Sequence, residues 1–464
     1  MRRAKIIATL GPASDGPDVL AALVAAGVDV VRLNTAHATH EALERQLLGV
    51  REVAASAGRH VAVMLDLGGA KIRLGDVAPG TLLQDGASFT LRADGAAGDA
   101  DGASINHPGL AGDVTPGSRI LIDDGRIELV VVGIDEGVVR TVVQAGGLLL
   151  SRKGVNVPDV SLSVEGITAQ DRTNLAWALD AGIDLVAQSF VRSSADVERL
   201  RQMMGERRVP IIAKIEKHEA LADLRGIVEA SDLVMVARGD LGVETSPEEV
   251  PVAQRRIVAE CRATGTPVIV ATQMLESMTT ALNPTRAEAS DVANAIFDGV
   301  DAVMLSGETA VGAHPTRVLA TMDRIVRAAE AAGVDEMASV RLRSGGVGAA
   351  VSRAACDLAE DLELAAIVTV TQSGATARSV AAHRPRVPVL AATPDEAVAR
   401  SLSPVWGVHP LVIGSYGTTD ELVSAAVQAA VASGAAAAGD RVAVTGGMAM
   451  HVTGSTDFVQ VRTA

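Results

Sequence analysis

Residues 211–240 read IIAKIEKHEALADLRGIVEASDLVMVARGD, and this stretch contains two short apolar runs that each end in charged residues. The first run, Ile211–Glu216, ends in a lysine and a glutamate, and the second, Leu233–Asp240, ends in an arginine and an aspartate. Continuous apolar runs of this length are typical of buried parallel strands. The stretch therefore predicts two strands that carry charged side chains at their carboxyl ends.

Six similar runs elsewhere in the chain bring the total to eight. They are Lys5–Leu10, Val30–Asn34, Val61–Leu67, Leu185–Phe190, Val268–Gln273 and Ala302–Glu308. Segments with helical periodicity, such as Val197–Met204 and Val252–Thr264, lie between most of the runs. Eight alternating strand and helix units predict an α/β fold of the TIM (β/α)8 barrel type, although doubly wound sheets share the pattern.

The carboxyl ends of seven runs are polar. A polar residue at one strand end marks only the exit into a loop, but Lys, Arg, Asp and Glu recur here, and TIM barrels carry their chemistry at these ends. The polar ends are Arg32, Asn34, Asp66, Ser189, Lys214, Glu216, Arg238, Asp240, Thr272, Gln273, Ser306 and Glu308.

The chain between the third and fourth runs, from Gly68 to about Pro158, is roughly ninety residues long, far more than an ordinary loop. It alternates apolar and polar residues in Ser118–Ile122, Ile127–Val132 and Gly137–Val143, with Asp- and Gly-rich turns between them. This pattern predicts a small inserted β domain, here an expected β barrel. Because it leaves the active end of the main barrel, it can act as a lid.

After Ala332, a polar linker, Glu336–Gly346, leads to a third region. Its apolar runs, which alternate with helical segments, predict a separate α/β domain; they are Ile367–Thr371, Val389–Ala392, Leu411–Ile413 and Val442–Val444. We therefore expect a barrel domain in residues 1–70 and 157–335, a β lid in residues 71–156 and a C-terminal domain in residues 336–464.

The formal net charge of -15 argues against a nucleic-acid or anionic-membrane partner, since such partners need broad cationic surfaces. No stretch approaches the length of a membrane span, and the apolar run at the N-terminus stops at Gly11, too early for a signal peptide. Two cysteines, Cys261 and Cys356, form neither a disulfide framework nor a zinc spacing. These features favour a reducing, cytoplasmic compartment.

Lys214 and Glu216 lie two residues apart and therefore share a face of their strand. Glu216 and Asp240 are expected to be neighbours on adjacent strand ends, where two carboxylates suit Mg²⁺. The alternative is a salt-bridge network between these three side chains, which we rank lower because buried ionic networks stabilise little.

A cationic cluster is expected within this acidic protein. Phosphoryl transfer is catalysed mainly by positioning and by neutralising the charge of the moving group, so cations gathered beside Mg²⁺ favour that reaction. The phosphate loop of P-loop enzymes is absent from the sequence. The predicted cluster consists of Arg32, Lys71, Arg73 and Lys214.

Several longer segments resemble those of the pyruvate kinase family, and the resemblance extends along essentially the whole chain. The segments are Ile212–Glu216, Met235–Gly242, Ala271–Met278, Pro284–Glu288 with Ser290–Ala295, and Met304–Ala310. The resemblance implies a glycolytic phosphotransferase that moves phosphate from phosphoenolpyruvate to ADP, giving pyruvate and ATP. It also implies Mg²⁺ as cofactor, with Mn²⁺ as a substitute.

The resemblance also implies roles for single residues. Lys214 resembles the lysine that neutralises the transferring phosphoryl group, and Arg32 resembles a phosphate-binding arginine. Glu216 and Asp240 resemble the protein ligands of Mg²⁺. The backbone of Gly239 and Asp240, together with Thr272, resembles the site for the substrate carboxylate.

Two further sets of residues take their roles from the same resemblance. Thr272, Ser306 and ordered water are expected to help protonate the enolate. The residues that resemble nucleotide contacts are Asn34, His37, Arg73 and Lys153.

The monovalent-cation site departs from most of the family. Asn34 and Asp66 of that site remain, but Ala36 and Leu67 replace its serine and threonine, and Lys71 stands where K⁺-dependent relatives carry glutamate. An ammonium group of the chain can replace a bound monovalent cation. The pattern therefore resembles the K⁺-independent branch of the family and predicts activity without K⁺.

The C-terminal region resembles the allosteric domain of the family. A loop in it resembles a phosphate-binding loop for a phosphorylated effector, whose identity the sequence leaves open; its expected contacts are Thr371, Ser373, Gly374 and Thr376. By family analogy alone, the helix from Thr285 to Ala295 is expected near a subunit interface of a homotetramer.

Two other functions compete with this interpretation. A barrel enzyme that uses phosphoenolpyruvate or pyruvate with Mg²⁺, such as a carbon–carbon lyase, needs no nucleotide lid, so the insertion and Lys153 count against it. A regulatory pseudokinase that only senses metabolites would not need the intact Lys214, Glu216, Asp240 and Thr272.

Overall fold

Eight parallel strands close into a barrel in the computed structural model, which describes residues 2–36, 38–158, 160–333, 342–343, 345–416, 418–447 and 456–464. The strands are Lys5–Thr9, Val30–Asn34, Ala62–Leu67, Leu185–Gln188, Ile211–Ile215, Leu233–Ala237, Val268–Ala271 and Ala302–Leu305. The first strand pairs with the last, with Lys5 opposite Ala302. The predicted TIM barrel is confirmed, and the doubly wound alternative is wrong because this sheet has no edge.

Helices surround the barrel and bury their apolar faces against the outer side of its strands. Among the described residues they are Pro17–Ala25, His40–Ser56, Ala169–Ala181, Ser194–Met204, His218–Ala222, Leu224–Ala230, Arg238–Glu244, Val250–Thr264, Arg286–Phe297, Gly307–Ala310 and Pro315–Gly333, with a 3₁₀ turn at Glu276–Thr279. The inner side of the strands forms a separate small core that includes Ile7, Met64 and Ile212.

Several strands end earlier, at their carboxyl ends, than the sequence predicts. The strand predicted to reach Asp240 ends at Ala237, and helix Arg238–Glu244 begins immediately after it. The strand predicted to reach Glu308 ends at Leu305 and is followed by helix Gly307–Ala310. Polar residues stop a buried strand, and here the chain continues as a short helix, so these side chains lie above the strand ends.

The insertion folds around its own apolar core, which includes Phe89, Ile120 and Leu129. Its six-stranded sheet has the spatial order Val155–Asn156, Arg119–Ile122, Ile127–Asp135, Val138–Ala145, Ser88–Arg92 and Gly102–Ser104. A two-stranded sheet, Leu82–Leu83 with Gly147–Leu148, and the short helix Leu110–Asp113 complete it. The three strands predicted from alternation are present, with ends shifted by at most three residues.

The C-terminal region is an α/β domain, as predicted. Its sheet has the order Val408–Val412, Val389–Thr393, Ala366–Val370, Arg441–Gly446 and Phe458–Thr463, and its helices are Val347–Asp361, Ala375–Ala382, Glu396–Ser401 and Thr419–Ala432. The antiparallel edge strand Phe458–Thr463 was not predicted. Most of the predicted linker, residues 336–341 and 344, lies outside the described residues.

The C-terminal domain packs against the amino ends of the barrel strands, opposite the polar strand ends. Arg384 pairs with Asp301 at 2.8 Å and Arg400 pairs with Asp184 at 2.8 Å, and each aspartate precedes the start of a barrel strand. Trp406 is buried at the same junction, beneath the guanidinium group of Arg384. No described helix combines the length and apolar character that crossing a membrane requires.

Candidate active site

Lys214 is the centre of a buried polar cluster at the carboxyl end of the barrel. Its Nζ lies 2.8 Å from Glu216 Oε1 and 3.3 Å from Asp66 Oδ1, and it donates a hydrogen bond to Ser189 Oγ at 2.7 Å. Only 8% of Lys214 is exposed. The predicted shared face of Lys214 and Glu216 is confirmed by their direct contact.

The charges of this cluster hold one another in the ionised state. Burial alone would lower the pKa of Lys214, but the negative charges of Asp66 and Glu216 outweigh burial and raise it above its usual value. Burial would likewise raise the pKa of Asp66, but Lys214 and Arg32 lower it. A cation therefore stays fixed at this position across the physiological pH range.

Arg32 reaches the same cluster from the second barrel strand. Its Nη2 lies 2.6 Å from Asp66 Oδ2, and its Nη1 donates to Thr9 Oγ1 at 3.2 Å. The side chain is 14% exposed, so part of its guanidinium group stays open to the barrel mouth. We use "barrel mouth" for the space above the carboxyl ends of the strands.

Asp240 lies in the first turn of helix Arg238–Glu244, which corrects the expected position on a strand end. Its Oδ1 is 3.1 Å from Lys71 Nζ, and its side chain is 27% exposed. The predicted cationic cluster is thus divided, with Lys71 on Asp240 and Arg32 and Lys214 on Asp66.

A divalent cation beside Glu216 would stabilise the ionised form of its carboxylate. Burial raises its pKa, and although Lys214 opposes this, the negative charge of Asp240 raises it further. Its Oε2 accepts the backbone N–H of Phe190 at 2.7 Å. A buried carboxylate whose ionised form is disfavoured by burial and by a neighbouring carboxylate fits Mg²⁺, which prefers oxygen ligands.

No group of three or more His, Cys, Asp and Glu side chains in the described parts of the chain could hold a metal by itself. A site with two protein carboxylates leaves most coordination positions to substrate and water. Mg²⁺ in phosphoryl-transfer enzymes is commonly bound in that way, so the donor set fits the ion.

Thr272 occupies a strained backbone position beside the helix of Asp240. Thr272 and Gln273 have φ angles of 69° and 54°, in the left-handed region that non-glycine residues rarely adopt. Thr272 Oγ1 accepts the backbone N–H of Gly239 at 2.7 Å. The residues predicted to bind the substrate carboxylate are therefore adjacent, with the amide donor facing the hydroxyl.

Ser306, the other residue predicted to assist protonation, has a buried hydroxyl without a hydrogen-bond partner among the described residues. Its backbone N–H donates to Glu308 Oε2 at 2.7 Å. Buried hydroxyl groups are normally satisfied, so this group is available to a substrate or a water molecule.

The predicted nucleotide contacts lie at the base of the insertion or at the second strand. Lys153 Nζ pairs with Asp123 Oδ1 at 2.8 Å, and Arg73 Nη1 donates to the carbonyl oxygen of Arg152 at 3.1 Å. Asn34 Oδ1 accepts the backbone N–H of Ala36 at 3.1 Å. His37, the fourth of these residues, lies outside the described residues.

The predicted effector loop joins strand Ala366–Val370 to helix Ala375–Ala382. Gly374 adopts φ 78°, where a Cβ would come within 2.9 Å of Leu402. Thr376 Oγ1 lies 2.8 Å from Thr456 Oγ1, and Arg378 Nη2 donates to the carbonyl oxygen of Ser373 at 3.2 Å. The position between a strand and a helix is as predicted.

Sequence reasoning assigned no specific role to four supporting residues of this site. Arg238 is the most connected, because its Nη2 donates to the carbonyl oxygens of Thr272 and Gln273 at 2.8 and 3.1 Å. The four are Ser189, Phe190, Arg238 and Glu308. Three of them were visible as polar strand ends, but the backbone N–H of Phe190 leaves no signal in a sequence.

The family models and the known proteins that match this chain agree on one protein family. The family model described as "Pyruvate kinase, barrel domain" matches residues 1–319, and "Pyruvate kinase, alpha/beta domain" matches residues 349–462. The pyruvate kinase of Geobacillus stearothermophilus is 44% identical over 99% of this chain and 80% of that protein. That of Clostridium acetobutylicum is 42% identical over 100% of this chain and 99% of that protein.

A solved structure shows the same likeness in three dimensions. The crystal structure of a pyruvate kinase from Cryptosporidium parvum superposes with a TM-score of 0.92 at 33% sequence identity. The match covers 100% of this chain and 96% of that one.

Proposed function

The chain belongs to the pyruvate kinase family, and we propose that Lys214, Glu216 and Asp240 carry its transfer of phosphate from phosphoenolpyruvate to ADP. The observation that supports this proposal is the placement of a buried lysine ammonium 2.8 Å from the Glu216 carboxylate, with Asp240 close enough to raise the pKa of that carboxylate. A fixed cation beside two such carboxylates suits an anionic phosphoryl donor.

The family uses Mg²⁺, and Glu216 and Asp240 are the residues that would hold it here. When bound, the ion supplies positive charge to the phosphoryl and carboxylate oxygens of the substrate. The chain's own cations act on the same group: Lys214 offsets the negative charge of the phosphoryl group in flight, and Arg32 holds a phosphate oxygen.

The transfer breaks the bond between phosphorus and the enol oxygen of phosphoenolpyruvate and forms a bond between phosphorus and a terminal oxygen of ADP. The enolate that remains takes a proton at its methylene carbon to give pyruvate. Thr272 and Ser306, with ordered water, assist this proton transfer, and the hydroxyl of Ser306, which has no hydrogen-bond partner among the described residues, supports that role. The backbone of Gly239 and Asp240, together with Thr272, holds the substrate carboxylate.

The nucleotide is bound between the barrel and the insertion, residues 71–156, which serves as the lid. Asn34, His37, Arg73 and Lys153 are the proposed contacts. Lys153 supports this assignment because it lies where the insertion returns to the barrel, paired with Asp123 of a neighbouring turn.

We also propose that the enzyme does not require K⁺. The Asp66 carboxylate, which remains from the monovalent-cation site, is occupied by Arg32 and Lys214. The ammonium nitrogen of Lys71 lies 3.1 Å from Asp240 Oδ1. Chain cations thus supply positive charge that a bound monovalent ion would otherwise contribute, with Lys71 as its surrogate.

The remaining assignments, which are oligomeric state, compartment and effector binding, rest on the family. We propose a homotetrameric, cytoplasmic enzyme. Its C-terminal domain binds a phosphorylated effector through Thr371, Ser373, Gly374 and Thr376. The left-handed Gly374 at the start of helix Ala375–Ala382 supports an anion-binding loop there.

The direct test is Lys214→Met, with ATP formation from phosphoenolpyruvate and ADP as the assay. We expect kcat to fall by at least about 10³-fold, because the charge that neutralises the moving group is lost. Arg225→Met, which removes an exposed cation paired with Glu229, is the control and should keep full activity. Full activity in a folded Lys214→Met protein, checked by circular dichroism, would refute the assignment. Absence of ATP formation by the unmodified protein would instead favour the lyase or pseudokinase alternatives.

A further inference from the structure

Glu244 is a buried carboxylate that takes no part in the mechanism above. It is the last residue of helix Arg238–Glu244, and its side chain is completely buried. Its Oε1 accepts hydrogen bonds from Asn156 Nδ2 at 2.6 Å and from Lys217 Nζ at 2.7 Å. Its Oε2 is buried without a hydrogen-bond partner in the described part of the chain.

The groups that meet at this oxygen come from three parts of the site. Asn156 is the last residue of strand Val155–Asn156, through which the insertion returns to the barrel. Lys217 directly follows Glu216 in the chain. Glu244 lies four residues after Asp240 on one helix, so both project from the same helical face. One oxygen atom therefore connects the insertion to the segments that carry both proposed Mg²⁺ ligands.

The two donors to Glu244 are largely shielded from water. Lys217 is 13% exposed at its side chain and Asn156 is 9% exposed, so water cannot readily replace either donor. A buried carboxylate that loses a hydrogen-bond donor is left underpaired away from water, which is unfavourable. The three segments are therefore held in one relative position as long as both hydrogen bonds are kept.

We propose that Glu244 is a positioning residue that keeps the insertion in register with Glu216 and Asp240. Movement of the lid is then transmitted to the segments of the divalent-ion ligands through the hydrogen bond between Asn156 and Glu244. The identity of the nucleotide and of the ion rests on the proposed function, whereas the mechanical connection rests on the contacts alone. The competing explanation is that Glu244 serves only as the counter-ion of Lys217.

Asn156→Ala separates these explanations because it removes the contact with the insertion and leaves the ion pair between Glu244 and Lys217. Amide hydrogen exchange of the ligand-free, full-length protein is the measurement, since it reports local opening without substrate or metal. We expect exchange in residues 238–244 and 215–217 to rise at least about threefold, although the substitution lies in the insertion. Unchanged exchange in those barrel segments would overturn the proposal.

Two control variants remove carboxylates that pair with an arginine and are more exposed than Glu244. Glu128→Gln removes a partner of Arg119 within the insertion, and Glu229→Gln removes a partner of Arg225 on a barrel helix. Both should leave exchange in residues 238–244 as in the unmodified protein. A rise as large as that of Asn156→Ala in either control would count against a specific connection.

Kinetics supply a readout that a purely structural role would not produce. In Asn156→Ala we expect KM for ADP to rise by about tenfold and KM for phosphoenolpyruvate to rise only by about threefold, because the lid loses its position whereas the ligand segments keep their other contacts with the barrel. Equal changes in the two KM values would contradict the positioning role. Unaltered activity of Glu216→Gln would refute the proposed function but leave the exchange result in place, so the two failures are distinguishable.

Discussion

At the scale of single residues, the site depends on which carboxylate each cation contacts. Lys214 and Arg32 share Asp66, and Lys71 contacts Asp240. Spacing in the sequence predicted that these cations lie together at one end of the barrel. It did not predict which carboxylate each cation contacts. Pairing follows from side-chain reach across neighbouring strands, which a linear pattern does not record.

The pairing of Lys71 leads to a prediction on monovalent ions. Initial rates in a buffer free of Na⁺ and K⁺, with tetramethylammonium holding the ionic strength, should differ by less than about twofold from rates with K⁺, because Lys71 already supplies a fixed cation. In Lys71→Ala the rate without K⁺ should fall, and added K⁺ should restore part of it.

Arg152→Ala is the control for this prediction, because it removes a nearby cation that is 77% exposed and paired with Asp76. Its response to K⁺ should match that of the unmodified enzyme. A large stimulation of the unmodified enzyme by K⁺ would contradict the account.

At the scale of elements, the segment after the third barrel strand needs a glycine. Gly69 has φ 64°, and a Cβ there would lie 2.7 Å from the ring of Phe190. The backbone N–H of Phe190 donates to Glu216, so displacement of the ring disturbs a proposed metal ligand. The glycine therefore permits the left-handed backbone conformation and also leaves room for the ring of Phe190, whose backbone N–H contacts Glu216.

Gly69→Ala and Gly58→Ala separate these two effects. Gly58 has φ 61°, but a Cβ added to it would meet no atom within 4 Å, so it shares the backbone strain without the collision. Each substitution should lower the free energy of unfolding by about 1–2 kcal/mol. Only Gly69→Ala should also reduce kcat/KM, by about tenfold. Equal activity of the two variants, measured after urea denaturation confirms the stability loss, would contradict the assigned role of Gly69.

The elements themselves were largely predictable from the sequence. Buried parallel strands such as Ile211–Ile215 give continuous apolar runs, and the polar residues predicted at three strand ends, Lys214, Asp66 and Ser189, lie in contact in the structure. The edge strand Phe458–Thr463 was missed because it pairs with a strand on one side only and its residues are half-buried or exposed, which weakens the apolar pattern. The helical position of Asp240 was missed because a turn into a helix depends on contacts distant in the chain.

At the scale of the whole molecule, a half-buried histidine lies near the junction between the barrel and the C-terminal domain. Burial, together with the positive charges of Lys5 and Arg2, lowers the pKa of His409 to about 3. In the unfolded chain this pKa returns to about 6.5. Below that pH the unfolded state binds a proton that the folded state does not, so folding stability falls as the pH falls from about 6.5 towards 3.

Between pH 7 and pH 5 we expect His409 to contribute a loss of about 2 kcal/mol in the free energy of unfolding. The pKa values of His60 and His383 are also lowered by burial, and they change stability in the same direction. Urea denaturation at both pH values, for the unmodified protein and for His409→Gln, is the measurement. An equal loss of stability in both proteins would show that His409 is not responsible.

Of the two carboxylates proposed to hold Mg²⁺, Glu216 follows a barrel strand and Asp240 lies on helix Arg238–Glu244, and that helix contacts the insertion through Asn156. The most direct measurement is the anomalous diffraction of a crystal soaked with Mn²⁺ and oxalate, an analogue of the enolate. We expect an anomalous peak bound by Glu216 and Asp240, with oxalate beside Lys214. A peak elsewhere in the molecule, with neither carboxylate bound to the ion, would contradict it.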